Sequence, residues 1–435
     1  MQHPAISRRV LTRLAGGVLG AVLLLGAAPL AMAPPAMAQD KPAKLVVMSH
    51  AVHRNVATTG PGGDVTEAWR KQQGIDVEWL TFAVEAVNER VFREASLAQG
   101  NVDVAFILDR YGGPQIAHMF EDLEEWQKRD PIADFDEISP GMRLAHTHRG
   151  KLIGIPYRHA THGFFYNETF LKERGVEPPK TFKDMVAAAE RLTYMRDGTR
   201  VHGFVLSMDD PSAVMDWIRA YGGEFITSDY KVVVDQPAAV QAVTALRDLW
   251  RKEVFPRNMM TFKTEEVITF MQQGRAAMTN QPFGRFVNYN NPTQSKFPGQ
   301  IPTTPLPVGL DGKPVAAKTS VWAMAIPKNA RNKALSWSLI KHLSSTQSTI
   351  AAALNGNGPV RKSAYADAKV RALVPYADAE VAALADARLT VPGFDSSAKA
   401  MDIMMEELQA AMLGMKGPEQ AMADVKKRVE PLLPK

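Results

Sequence analysis

The sequence predicts an α/β fold of two units, each alternating strands with helices. Three observations carry that prediction. Short apolar or alternating runs suited to strands recur between stretches of helical periodicity. The 435 residues are enough for two or three domain-sized units. The composition, 46% apolar and 22% charged, is that of an ordinary packed interior.

Residues 44–48 read as the first strand, and a helical stretch follows to about Gln73. Residues 75–80 alternate and carry branched side chains, which marks a second strand. Val87, Val91 and Ala95 recur at i, i+4 in a helix that Gly100 terminates. Residues 102–107 form a short apolar run suited to a buried strand. Such alternation implies a mostly parallel sheet with helices on both faces. Ligands of these sheets sit beyond the carboxyl ends of the strands. The loops at 49–53, 82–85 and 109–113 are therefore expected to face one cleft.

A second α/β region follows residues 153–156. Thr181 and Asp184 read as a capping box opening a helix whose apolar face is Met185, Ala189 and Leu192. Residues 203–206 are a strand candidate. Pro237 starts a helix at a position where its missing N–H costs little, with Ala239, Val243, Leu246 and Trp250 on one face. The Asn-, Pro-, Gln- and Thr-rich stretch at 288–307 reads as extended connection. Residues 321–326 return to a strand pattern. The chain finishes with two helices, one marked by Met401, Met404, Leu408 and Met412, the other opened by Pro418 with Met422, Val425 and Val429.

The absence of cysteine excludes disulfides, cysteine-ligated zinc and thiol nucleophiles. Residues 1–38 have the layout of a secretory signal peptide: Arg8, Arg9 and Arg13, an uncharged stretch from Leu14 to Ala33, and an Ala36-Met37-Ala38 cleavage site. Ser7-Arg8-Arg9-Val10-Leu11 resembles a twin-arginine export signal, with an ordinary basic leader as the alternative. Cleavage near Ala38 removes three basic and no acidic residues. The net charge then falls from +5 to +2, so no electrostatic case for nucleic acid remains. A soluble periplasmic protein is expected, without a lipid anchor.

No Gly-x-Ser-x-Gly elbow, phosphate loop or dinucleotide fingerprint is present. The adjacent acidic pairs, such as Glu124-Glu125 and Asp209-Asp210, do not converge on one helix face and read as solvated surface. His146, His148, His159 and His162 lack the three or four converging ligands of a metal site. No metal or other cofactor is expected. The spacing of the C-terminal methionines is that of a core stripe rather than of copper ligands. Tyr157, Trp217, Tyr221, Phe283 and Trp322 fall at strand ends, helix starts or loops. Aromatic faces beside polar hydrogen-bonders suit a sugar, whose C–H face packs on a ring while its hydroxyls need partners.

Several ordered motifs then resemble the extracellular solute-binding proteins of ABC importers, in the group that includes maltose- and other sugar-binding proteins. They are Gly150-Lys151-Leu152-Ile153-Gly154-Ile155-Pro156-Tyr157, Phe165-Tyr166-Asn167-Glu168, Pro178-Pro179-Lys180-Thr181-Phe182, Gly274-Arg275-Ala276-Ala277-Met278 and Asn357-Gly358-Pro359-Val360-Arg361-Lys362-Ser363. The resemblance implies a two-lobed periplasmic-binding-protein fold, type II-like, with a hinge of crossing strands that closes on solute. Lobe one is expected over 39–155 and 300–350, lobe two over 156–299 and 351–435. Asp109 and Arg110 match the family's polar pair after the third strand, and Phe283 stands where a pocket tryptophan is usual. Trp217 matches a helix-start aromatic loosely. Arg158 and Ser320 are placed by position alone.

The expected ligand-binding set is thus His50, Glu85, Asp109, Arg110, Tyr157, Arg158 and Trp217, with Tyr221, Asn280, Phe283, Ser320, Trp322 and Arg361. A monomer is expected that binds a sugar or related polar solute between its lobes and docks on the permease subunits of its transporter. Arg110, Arg158 and Arg361 together also suit an anionic solute, such as a sugar acid or sugar phosphate. Two rivals remain: an enzyme on the same fold with His50 or Glu85 as base, and a sensory binding protein.

Overall fold

Burial along whole strands marks the centre of the first sheet, over Val104–Leu108 and Val321–Ala325. In a computed structural model, which describes residues 42–434, β1 (Lys44–His50), β2 (Asp76–Phe82) and β3 (Val104–Leu108) form its parallel part, with β1 in the middle. The expected export signal at 1–38 lies outside the described residues. A hairpin of β4 (Thr147–His148) and β5 (Lys151–Leu152) precedes β6 (Ile155–His159), and the chain then crosses to β7 (His162–Tyr166). A second hairpin joins β8 (Tyr194–Arg196) to β9 (Thr199–Val201). Strands β10 (Met278–Pro282) and β11 (Thr303–Thr304) flank β7 in an antiparallel three-stranded sheet. Finally β12 (Lys318–Thr319) leads into β13 (Val321–Ala325), and β14 (Arg388–Leu389) pairs with β12.

The first sheet has the order β2-β1-β3-β13-β6. Strand β13 runs antiparallel to both neighbours, so the sheet is mixed rather than mostly parallel. It arrives from the second lobe instead of through a right-handed helical crossover, and nothing then forces a parallel direction.

Two main hydrophobic cores mark the lobes. One gathers Val47, Phe106, Ile155, Met324 and Trp337; the other gathers Phe164, Phe204, Trp217, Met278, Met404 and Val425. The expected boundary at 300 is corrected by this packing. Ile301, Leu306, Val315 and Ala317 fill the second core, and the chain returns to the first only at β13. Likewise Ala352 belongs to the first core, beyond the expected boundary at 350. The polar 288–307 stretch hides these anchors because only a few apolar residues punctuate it.

Local signals hold elsewhere. The Thr181 hydroxyl accepts from Asp184 N at 3.1 Å while the Asp184 carboxylate accepts from Thr181 N at 3.1 Å, opening the helix Phe182–Arg191. Pro237 occupies the first turn of the helix Pro237–Arg251. The first helical stretch is broken into Ala51–Thr58 and Glu67–Gln73 by the segment around Pro61. Residues 203–206 are buried, but not a strand: Val205 N donates to Met278 O, and Thr279 Oγ1 to Val205 O, without a continuous ladder.

Candidate functional site

A cavity of about 360 Å³ opens between the two cores. Its first-lobe wall is Pro61 with residues 353–359, and its floor is Arg158, His159 and Ala160 at the end of β6. The second lobe supplies Pro282 at the end of β10, Gly284, Arg285 and Val287 beyond it, and Tyr376 and Glu380 from a C-terminal segment that also brings Leu373 and Val374 to the lining. Asn355 fixes the first-lobe wall: its Nδ2 donates to Val56 O and Gly63 O, and its Oδ1 accepts from Gly62 N. Gly358 allows that wall to touch the floor, because a Cβ there would lie 2.5 Å from His159 O. The volume falls within the usual range for small-molecule sites, roughly 300–1,000 Å³.

Tyr376 is the aromatic wall. Its ring stacks on Phe283 at 5.7 Å between centroids and 16° between planes. Phe283 in turn rests on Gly163 of β7, where any side chain would collide with the ring at 2.6 Å. Phe283 therefore acts from behind, holding Tyr376 in place.

Charge enters from three side chains. Arg158 is half-buried and donates to Asn357 Oδ1 at 3.3 Å. Desolvation, and then the charge of Arg285, push its guanidinium below the ordinary arginine range. Burial raises Glu380, only 4% exposed, to about 7, against the opposing pull of the Tyr365 hydroxyl and Arg158. While Glu380 is ionised, Tyr365 donates to it. The Tyr365 oxygen is then left to accept from His159 Nε2 at 2.8 Å, and His159 Nδ1 to accept from Thr161 Oγ1 at 3.0 Å. Burial holds His159 down to about 3, so it is neutral at ordinary pH. Thr161 also bonds Thr319 Oγ1 at 2.7 Å. A continuous polar chain thus runs from two of the interlobe crossings, at Thr161 and Thr319, to the cavity wall.

Residues 63–350 match the family described as bacterial extracellular solute-binding protein, a span of roughly two thirds of the chain. The chain belongs to that family. It is the substrate-binding protein of an ABC transporter. A probable ABC transporter-binding protein of Deinococcus radiodurans is 25% identical over 321 residues, 71% of this chain and 75% of its own. A probable amino-acid ABC transporter periplasmic-binding protein of Sinorhizobium fredii is 22% identical over 410 residues, 91% of this chain and 92% of its own. Maltose-bound MalE3 of T. maritima shares the fold with a TM-score of 0.76 at 22% identity, over 90% of this chain and all of the other. The expected two-lobed periplasmic-binding-protein architecture is therefore the observed one.

In this solute-binding protein the expected ligand set is dispersed. Arg158 lines the cavity and Phe283 backs it. His50, Tyr157 and Trp322 meet instead in an aromatic cluster around His53. There Trp322 lies 4.7 Å and Tyr157 6.2 Å from the His53 ring, and His50 stacks on Trp322 at 6.3 Å. His50 Nδ1 also accepts from Val52 N, capping the helix Ala51–Thr58. Glu85 sits in the first turn of the helix Val84–Ala95. Asp109 is buried and accepts from Val321 N at 2.8 Å; desolvation raises it to about 6. Arg110 pairs across the lobes with Asp210 at 2.9 Å. Ser320 contributes its carbonyl to Ala160 N, and Tyr221 is half-buried against the second core.

Three expectations are overturned by burial. Trp217, 0% exposed, is surrounded by Phe182, Phe204 and Phe255 at 5.2–6.3 Å and has no face left for solute. Asn280 donates to Ala213 O and to Asp216 Oδ2, inside the hinge. Arg361, 0% exposed, donates to the carbonyls of Ser344, Asp134 and Ala133 and lies 3.4 Å from Glu137. It is a clamp, not a ligand contact. The residues missed are Arg285, Tyr376, Glu380 and Asn357. Asn357 lay inside a recognised motif and Arg285 two positions past Phe283, but Tyr376 and Glu380 carried no local signal. Among the described residues, no group of three or more His, Asp or Glu side chains is placed to hold a metal ion, and no helix is long and apolar enough to cross a membrane.

Proposed function

We propose that this protein binds a carbohydrate or polyol in the interlobe cavity, in the periplasm, and presents it to the transmembrane subunits of its importer without chemical change. The carrying observation is the cavity wall itself: the ring of Tyr376, stacked on Phe283, lines the same cavity as the polar groups of Asn357, Arg158 and Glu380. An apolar face beside convergent polar groups is what a pyranose or a polyol chain needs. The maltose complex of the T. maritima protein supports the same class. The Sinorhizobium relative's name points to amino acids instead. An α-ammonium would need a free acid, and the acid on this wall, Glu380, already bonds Tyr365. Binding needs no nucleophile, base or cofactor: solute would close the lobes, and closure would exclude water from the polar contacts.

Titration calorimetry of the protein with sugars, polyols and amino acids, paired with small-angle scattering, tests this reading. A sugar or polyol should bind and reduce the radius of gyration. Binding of amino acids alone, or of no small solute, would overturn it.

A further inference from the structure

We propose that the cavity selects an anionic carbohydrate, whose carboxylate or phosphate lies between the guanidinium groups of Arg158 and Arg285. This rests on reading the cavity as the solute site and goes on to specify the class of solute. The two arginines reach the same cavity from different elements, Arg158 from β6 and Arg285 from the turn after β10. Neither has a carboxylate partner in hydrogen-bond range. Arg158 has the neutral Asn357 Oδ1 at a long 3.3 Å. Among the described residues Arg285 makes no hydrogen bond and no ion pair, and its Nε is buried without an acceptor.

Three other buried or half-buried arginines are treated differently. Arg110 faces Asp210, Arg219 faces Glu224 at 3.1 Å, and Arg361 is wrapped in three carbonyls. The cavity pair, by contrast, is left with charge and donors unspent. Two like charges close enough for one to depress the other's basicity raise each other's energy, and an anion between them removes that repulsion. The compensating acid on the wall is Glu380, with Tyr365 bonded to its carboxyl; His159 is neutral. Two arginines against one such acid leave the wall net positive. Guanidinium groups present planar pairs of donors that match a carboxylate or phosphate edge, which a neutral hydroxyl cannot engage as fully. The Tyr376 face supplies the place for the sugar ring.

Calorimetry of the full-length protein with glucuronate, its neutral isostere glucuronamide, and glucose 6-phosphate tests the proposal, repeated on Arg285→Gln. Glucuronate or the phosphate should bind at least about tenfold more tightly than glucuronamide. Arg285→Gln should lower that affinity by roughly ten- to a hundredfold. Its effect on glucuronamide should be clearly smaller than its effect on the anionic sugars, and the thermal midpoint of the ligand-free protein should not fall, because the substitution relieves the repulsion with Arg158. Preference for glucuronate over glucose 6-phosphate, or the reverse, assigns the anion to carboxylate or phosphate, and both support the proposal. Equal or tighter binding of glucuronamide, insensitive to Arg285→Gln, overturns it while leaving a sugar-binding cavity intact. If neutral and anionic sugars all fail to bind, the underlying functional reading falls with it.

Discussion

Glu380 stands out among single residues because its environment sets a cost that depends on pH. Desolvation raises its carboxyl from 4.5 to about 7. Below about pH 4 the folded and unfolded chains both hold the proton, and the group is neutral to stability. As pH rises, the unfolded chain releases its proton first, so folding loses stability progressively until the folded carboxyl also ionises near 7. Glu380→Gln should therefore stabilise the ligand-free protein by something on the order of 2–3 kcal/mol at pH 8 and leave it unchanged at pH 4. Urea denaturation at the two pH values reads this directly; equal effects at both would contradict the burial argument. Arg361 illustrates the opposite case. Its charge is buried but ringed by three carbonyl acceptors, so it holds loops together and has nothing left to offer a ligand.

Among the elements, the crossing strands are held together by one buried carboxyl. Asp216, fully buried on the helix Ser212–Ala220, accepts from His162 Nδ1 at 2.6 Å on β7, Asn280 Nδ2 at 2.6 Å on β10 and Lys318 N at 2.7 Å on β12. One carboxyl thus ties three strands at the hinge. Asp216→Asn sets an amide N–H against donors that now meet an acceptor. It should lower unfolding free energy by about 2–4 kcal/mol, measured by chemical denaturation. The Arg110–Asp210 pair also bridges the lobes, but both partners are about a quarter exposed, which limits its worth to about 1 kcal/mol or less. What was legible in the sequence at this scale follows the range of each signal. The capping box at Thr181, the proline start at Pro237, the first three strands and the methionine stripe are all decided within a turn or a strand. Trp217 was misread because a helix-start aromatic faces solute or core according to distant residues, here Phe182, Phe204 and Phe255. Tyr376 and Glu380 were invisible for the same reason: they reach the cavity only once the chain has crossed between lobes.

On the scale of the whole molecule, the two cores, the crossings between them and the cavity at their junction make one device. Family membership establishes a substrate-binding protein. The cavity's stacked ring and paired arginines are what argue for the kind of substrate. The apparent basicity of the full sequence belongs mostly to its first 38 residues, yet a local excess of positive charge persists where Arg158 and Arg285 meet. Locating a bound sugar by crystallography, using whichever sugar binds most tightly in solution, tests this account most directly. The predicted result is a ring packed on Tyr376 with its polar groups against Arg158, Arg285 and Asn357. A sugar bound away from these residues, with the cavity unchanged, would contradict it.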